Sequence, residues 1–187
     1  MTVNRGQDYL REGTAAFWRE YTGASPKATS AKQGATLGHR GYTPLRTNNA
    51  KKRDIIFLWP LSRQKFWISS YFGWRMIRQK RNFHYGIDLA ALKGTHVYAV
   101  AAGSVLESRY APGYGNTIVI KHNHKYKTRY AHLDTLRVKR GQEVERGDFI
   151  GTVGDTGHVR KSGRDASHLH FEVYVFGKQV NPLAVLP

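Results

Sequence analysis

Cysteine is absent from the 187-residue chain, which excludes disulfides and thiolate metal sites and leaves the redox compartment unspecified. No run approaches the ~18 consecutive apolar residues that a membrane-crossing helix needs, so no transmembrane span is expected. The opening Met1-Thr-Val-Asn-Arg-Gly6 has no apolar h-region, and no signal peptide is visible; any targeting segment is expected to lie outside this sequence. Acidic residues are scarce, 13 Asp and Glu against 30 Lys and Arg, giving a formal net charge of +17. An excess of that size calls for an anionic partner, and nucleic acid is the general candidate. The charge is spread out, however: ten basic less four acidic residues through Asp54 leave +6, and twenty less nine afterwards leave +11. Helix-turn-helix, aromatic RNA-binding and zinc-finger patterns are all missing, so no nucleic-acid partner is expected.

Apolar side chains are also scarce in the first third of the chain. Residues 22–54 are mostly Gly, Ser, Thr, Ala, Lys and Asn, with Leu37, Tyr42 and Leu45 as the large apolar exceptions. That composition offers too little apolar area to offset ordering entropy and reads as a basic linker. Ahead of it, Leu10, Phe17, Trp18 and Tyr21 recur at helical spacing and predict one amphipathic helix over 8–21, weakened by Gly13. Residues 1–54 are therefore expected to form an extension, and 55–187 the main domain. After Ile55 the pattern becomes short alternating runs at 97–101, 117–121, 126–133, 149–153 and 169–176. Gly94, Gly103, Gly113, Gly115, Gly141, Gly147, Gly154 and Gly157 punctuate them as turn residues, which predicts an all-β domain of short strands.

Three histidine-bearing segments stand out in that domain: His84-Tyr-Gly-Ile-Asp88, Tyr130-Ala-His132-Leu, and His168-Leu-His170-Phe-Glu172. Two neutral imidazoles and a carboxylate fill three corners of a tetrahedral Zn²⁺ and leave the fourth for water, the ligand count of a catalytic site. Two histidines then remain for acid–base work. Around His168 the alternation puts His168, His170, Glu172 and Tyr174 on one strand face, and Leu169, Phe171, Val173 and Val175 on the other. His84 and Asp88 share a face at spacing i, i+4, and Gly86 between them favours an extended or bulged backbone. Thr128, Tyr130 and His132 alternate with Arg129 and Ala131 and read as the polar wall of a groove. The chain carries its own control, His122-Asn-His124, set among Lys121, Lys125 and Lys127. Neighbouring cations oppose a bound cation, so this pair is expected at a solvated hairpin tip. The residues alone thus give five candidate groups.

Several ordered motifs carry a resemblance from about Ile56 to Pro187: Phe57-Leu-Trp-Pro60, Tyr71-Phe-Gly-Trp-Arg75, His84-x-Gly-x-Asp88, Gly94 through Gly103, Tyr130-Ala-His-Leu133, Val144 through Gly151, and His168-Leu-His-Phe-Glu172. In these the chain resembles the LytM/lysostaphin family of zinc endopeptidases, which cut peptide bonds in bacterial peptidoglycan. The resemblance implies a compact antiparallel β domain with an open groove over one Zn²⁺ per chain. It implies that His84, Asp88 and His170 are the ligands and that His132 and His168 are the catalytic histidines. It also implies a peptidoglycan peptide substrate and a location in the cell envelope, periplasmic or extracellular. Related non-catalytic amidase activators lack zinc ligands, whereas all five positions are filled here. Oligomeric state and the bond cut are left open.

With no His-Glu-x-x-His motif in the chain, a zincin's glutamate base is missing, and His132 and His168 are the groups left to move protons. Glu172 is expected to orient an imidazole. His39, His96 and His158 are expected to be non-catalytic, and Trp59, Trp67 and Trp74 to be core or groove-wall residues. The stretch from Gly157 to His168 is about five residues longer than the resemblance leads one to expect, and loops beside a site shape specificity.

Overall fold

The computed structural model describes residues 57–77, 79–159 and 165–187. The expected helix over 8–21, the linker over 22–54 with His39, and residues 160–164 of the long loop lie outside the described residues. Within them the chain runs β1 (Trp67–Ser70), β2 (Gly73–Ile77), β3 (Lys80–His84), β4 (Ile87–Ala90), β5 (His96–Tyr98), β6 (Gly103–Ala111), β7 (Gly115–Lys121), β8 (Tyr126–Leu136), β9 (Glu143–Val144), β10 (Phe149–Val153), β11 (His168–Val175) and β12 (Lys178–Val180), with short 3₁₀ turns at Arg63–Lys65 and Pro182–Ala184. The main sheet is ordered β1-β4-β11-β8-β7-β6-β9, with β12 on β11, and β10 joining β8 to β5; β2 and β3 form a separate hairpin. The strand pairings are antiparallel, and the domain is all-β as expected. No helix among the described residues is long and apolar enough to cross a membrane.

Alternation decides which face of the central strands turns inward. Leu169, Phe171 and Val173 of β11, and Ile87 and Leu89 of β4, are completely buried together with Ile118, Ile120, Leu133 and Ile150. Each such side chain contributes about 1.5–3 kcal/mol of transfer free energy. The opposite face of the same strands presents His168, His170 and Glu172 of β11 and Asp88 of β4, with His170 directly across from Asp88.

The polar wall expected from Thr128, Tyr130 and His132 is not what forms. Thr128 and Tyr130 are wholly buried in the core, where Tyr130 packs on Phe171 at 5.3 Å and its hydroxyl accepts from Val100 N at 3.0 Å. Register explains the inversion: Tyr130 lies across from Phe171, and Arg129 from Glu172, so Arg129 shares the site face. His132 reaches that face through a bulge. Between the pairs Asn116–Leu133 and Ile118–Tyr130, β7 contributes one residue and β8 two, and His132 adopts a left-handed φ of 59°. The extra residue reverses the side-chain alternation. Left-handed backbone at a non-glycine residue costs on the order of 1–3 kcal/mol and collects at functional sites.

Gly103 and Gly154, expected in turns, lie instead where backbones meet. A Cβ at Gly103 would sit 2.4 Å from the Lys121 carbonyl oxygen, and one at Gly154 would sit 2.5 Å from Asp134 N.

Candidate metal centre and groove

His170 and Asp88 meet across the β11–β4 ladder, with His170 Nδ1 2.8 Å from Asp88 Oδ1. His84, the last residue of β3, swings in through Tyr85-Gly86, placing Nε2 3.0 Å from Asp88 Oδ1 and 3.0 Å from His170 Nδ1. Gly86 permits this approach: a Cβ there would lie 2.4 Å from the Phe171 carbonyl oxygen and 3.0 Å from His170 Cε1.

The outer nitrogens of these rings are already committed. His84 Nδ1 donates to the Tyr71 carbonyl at 2.9 Å, and His170 Nε2 donates to Glu172 Oε1 at 3.1 Å. Each neutral ring therefore turns a lone pair toward Asp88 Oδ1, and three acceptors converge with no proton between them. A cation resolves that arrangement, and two imidazoles with one carboxylate are a zinc donor set. These three residues are the metal-ligating cluster found among the described residues. Without a cation, a proton serves. Burial opposes charge on His170, but its hydrogen bonds to Asp88 and Glu172 overcome this and raise its pKa. Burial likewise opposes ionisation of Asp88, yet the hydrogen bonds from His170 and His84 hold its carboxyl well below the usual range.

His132 and His168 stand beside the cluster with ring centroids 4.8 Å apart. His132 Nδ1 donates to the Thr156 carbonyl at 2.8 Å, and His168 Nδ1 to the Ala166 carbonyl at 2.9 Å. Both rings are thereby oriented with Nε2 as the free acceptor. His168 Nε2 lies 3.9 Å from Asp88 Oδ1. Burial, helped by the neighbouring His168, pushes the pKa of His132 down to about 4, so it is neutral at pH 7.

Behind His170, Glu172 is fully buried. It accepts from Tyr114 Oη at 3.0 Å and from Tyr174 Oη, and Arg129 Nη1 lies 3.9 Å from its Oε2. Arg129 also covers the Tyr114 ring at 4.2 Å. Desolvation favours the neutral acid, but these contacts, the His170 hydrogen bond foremost, lower the Glu172 pKa. The groove over the site, a cavity of about 570 Å³, is lined by the four histidines and Asp88 with Arg75, Tyr114 and His158 among others.

The structure thus brings all five expected site residues to one groove and puts Glu172 against His170. Sequence reasoning missed Tyr114, Arg75 and the carbonyls of Tyr71, Thr156 and Ala166. Tyr114 had one sequence signal: it stands between Gly113 and Gly115, both of which have positive φ. His158 is exposed but lines the groove, and His96 is exposed and packs on Phe149 at 4.4 Å. The control pair divides. His124 is exposed at the β7–β8 turn. His122, expected to be solvated, is half-buried, contacts Phe57 and bridges the Ala102 carbonyl and Thr128 Oγ1 at 2.9 and 2.8 Å. Trp59 packs on the core, but Trp67 and Trp74 are 68% and 65% exposed and do not line the groove. Trp67 lies on the edge strand β1, and Trp74 on β2 of the separate hairpin.

A metal-ligating trio beside two oriented histidines, on the floor of an antiparallel groove, places the domain with the LytM/lysostaphin-type peptidases. The chain belongs to peptidase family M23, whose model matches residues 82–182. It is similar to the murein hydrolase activator NlpD of Escherichia coli K12, 47% identical over 103 residues that cover 54% of this chain and 26% of that protein. It is also similar to the peptidoglycan DD-endopeptidase ShyA of Vibrio cholerae, 44% identical over 100 residues that cover 54% of this chain and 22% of that protein. Among solved structures, a zinc containing peptidase from Vibrio cholerae superposes with a TM-score of 0.62 at 38% identity, covering 67% of this chain and 39% of that one. The match spans about a quarter of the length of each of these two curated relatives.

Proposed function

We propose that this chain is a zinc endopeptidase of the cell envelope that hydrolyses amide bonds in peptidoglycan stem peptides or crosslinks. In this reading residues 55–187 are the peptidase domain and 1–54 an extension, and one zinc is held by His84, Asp88 and His170. The observation that carries it is the commitment of every outer ring nitrogen at the site to a carbonyl or carboxylate, leaving the inner ones as acceptors on one groove. Zinc, when bound, supplies Lewis-acid polarisation of a carbonyl and lowers the pKa of a coordinated water toward about 7.

The chain's own residues supply the rest. His132 and His168 are the catalytic histidines: neutral Nε2 of one accepts the nucleophile's proton, and that same proton is returned from the pair to the leaving amine as the C–N bond breaks. The Thr156 and Ala166 carbonyls keep both rings in the tautomer that can accept at Nε2. Glu172 fixes the plane and tautomer of His170, and Arg75 steadies the second oxygen of Asp88 at 3.2 Å. The basic surface draws the protein to a wall polymer rich in carboxylates and phosphates.

The test is digestion of purified peptidoglycan by zinc-loaded protein, with the released fragments identified by mass spectrometry. Cleavage at a stem-peptide amide supports the reading. The likeness to NlpD favours a second one, an activator that uses the same groove for a protein partner; zinc-loaded protein that releases nothing yet stimulates a separate murein hydrolase would establish it instead.

A further inference from the structure

We propose that the β2–β3 hairpin is a membrane-contact surface that lays Trp74, Met76 and Tyr85 into the headgroup region of an anionic lipid leaflet. Trp67, Tyr71, Trp74, Met76 and Tyr85, five of the ten large apolar side chains exposed among the described residues, fall between residues 67 and 85. Register groups part of them. Trp74 lies across from Phe83 and Met76 from Arg81, so these four share one face of the hairpin, while Arg75 pairs with Asn82 and Gly73 with His84 on the other. The aromatic rings are continuous, with Phe83 5.2 Å from Trp74, 5.2 Å from Phe72 and 4.9 Å from Tyr85. Trp74, Met76 and Tyr85 are nevertheless 65%, 64% and 50% exposed. The hairpin is a two-stranded sheet apart from the main one, and large apolar side chains clustered on an exposed element mark a docking surface rather than a core.

Charge identifies the occupant. Between Asp54 and Asp88 the chain carries Arg63, Lys65, Arg75, Arg78, Lys80 and Arg81 and no acidic residue. Lys80 and Arg81 on β3 are exposed beside the apolar face, and the Arg81 guanidinium lies over the Trp74 ring at 4.7 Å. Tryptophan and tyrosine rings favour the headgroup level of a bilayer, where one end of the ring is apolar and the other wet, and neighbouring cations add attraction to an anionic leaflet. A glycan strand fits less well: one face of the Trp74 indole is occupied by Arg81, and Met76 has no ring on which a sugar can stack. Strands of five residues are too short to span the hydrocarbon core, so the contact is peripheral. Because β3 ends in His84, a docked hairpin holds the groove at the membrane surface, whichever reaction or partner the groove serves.

The test is flotation of the full, zinc-loaded chain with vesicles of phosphatidylcholine alone or mixed with phosphatidylglycerol at about three to one. A net charge of +17 draws the protein to any anionic surface, so the deciding readout is insertion: acyl chains brominated near the headgroup quench a tryptophan that enters them. Wild type is expected to bind the anionic vesicles and to show quenching that Trp74→Phe lacks. Each basic residue near an anionic leaflet is worth about fivefold in affinity, so Lys80→Gln with Arg81→Gln should weaken binding by roughly 20- to 30-fold. Trp74→Ser should weaken it about tenfold, and Trp74→Phe should restore most of that loss. Zinc content and circular dichroism are measured on each variant, so a fold defect is told apart from loss of the contact. Equal binding by wild type and Trp74→Ser, or vesicle binding without quenching of Trp74, overturns the proposal and leaves only diffuse charge attraction. Loss of binding to purified glycan strands in Trp74→Ser, with vesicle binding unchanged, overturns it in favour of a sugar-stacking platform. Neither readout requires catalysis, so the proposal stands or falls separately from the peptidase reading.

Discussion

Replacing Glu172 with Gln removes one charge at the centre of a sealed network and almost no volume. Glu172 Oε1 accepts from His170 Nε2 at 3.1 Å and from Tyr114 Oη at 3.0 Å. A glutamine oxygen in that place keeps both bonds, but as neutral ones, roughly half as strong as bonds to a carboxylate. The amide nitrogen then takes the place of Oε2, facing Tyr174 and lying near Arg129, whose guanidinium is 3.9 Å from that oxygen in the wild type. The ring of His170 is held less firmly, and its Nδ1 becomes a weaker ligand. Loss of such an outer partner weakens metal affinity by about 10- to 100-fold, or about 1.4–2.7 kcal/mol. Competition against a chelator of known affinity measures the change, and circular dichroism of both proteins checks that the fold is kept. The wild-type affinity should also fall with acid. Protonated His170 cannot bind metal through Nδ1, and its pKa is raised in the metal-free protein, so zinc affinity declines as pH falls below that value and is recovered above it. A Glu172→Gln protein with wild-type zinc affinity across that range would refute the claim that Glu172 sets the donor strength of His170.

His132→Ala and His168→Ala should each keep zinc and lose at least about 100-fold in kcat, the usual worth of general acid–base catalysis, read from fragment release under saturating zinc. Because His132 has its pKa pushed down to about 4, its lone pair is present above that pH. The acid limb of kcat/KM in metal-saturated enzyme should therefore not require a group of pKa 6–7 at this position, and His132→Gln should leave the midpoint of any such limb in place. Gly86→Ala would drive a Cβ to 2.4 Å from the Phe171 carbonyl oxygen, separating His84 from His170; loss of zinc together with a lowered thermal midpoint is expected, because the atom met is backbone of a buried strand, and full retention of the metal would contradict the close-approach argument.

Legibility in the sequence followed the kind of physics involved. Strands β11 and β4 alternate cleanly between core and site, and so His168, His170, Glu172 and Asp88 could be grouped from spacing alone; His84 ends β3, and its i, i+4 spacing to Asp88 spans the Tyr85-Gly86 link between two strands. Strand β8 also alternates, but its polar-looking stripe is the core face, because Tyr130 and Thr128 satisfy each other and Val100 inside. His132 leaves that face through a bulge that exists only in the pairing with β7 and leaves no mark on one strand's sequence. Strand β6 was passed over because Glu107, Ser108, Arg109 and Tyr110 hide its pattern; β7 and β9 flank it, and it buries little beyond Val105 and Ala111. The hairpin β2–β3 offered charge and exposed aromatics rather than an apolar face, so although Arg75 ends one of the motifs that carry the resemblance, its place beside Asp88 could not be read from them. The carbonyls that orient the rings carry no residue signature at all.

The most direct test of the central claim is zinc stoichiometry measured side by side in wild type, His170→Ala and His168→Ala after identical loading and desalting. One zinc per chain in wild type and His168→Ala, with none in His170→Ala, is the predicted result. Equal zinc in all three, or loss on changing His168 alone, would contradict the division of these residues into metal ligands and proton-transfer groups.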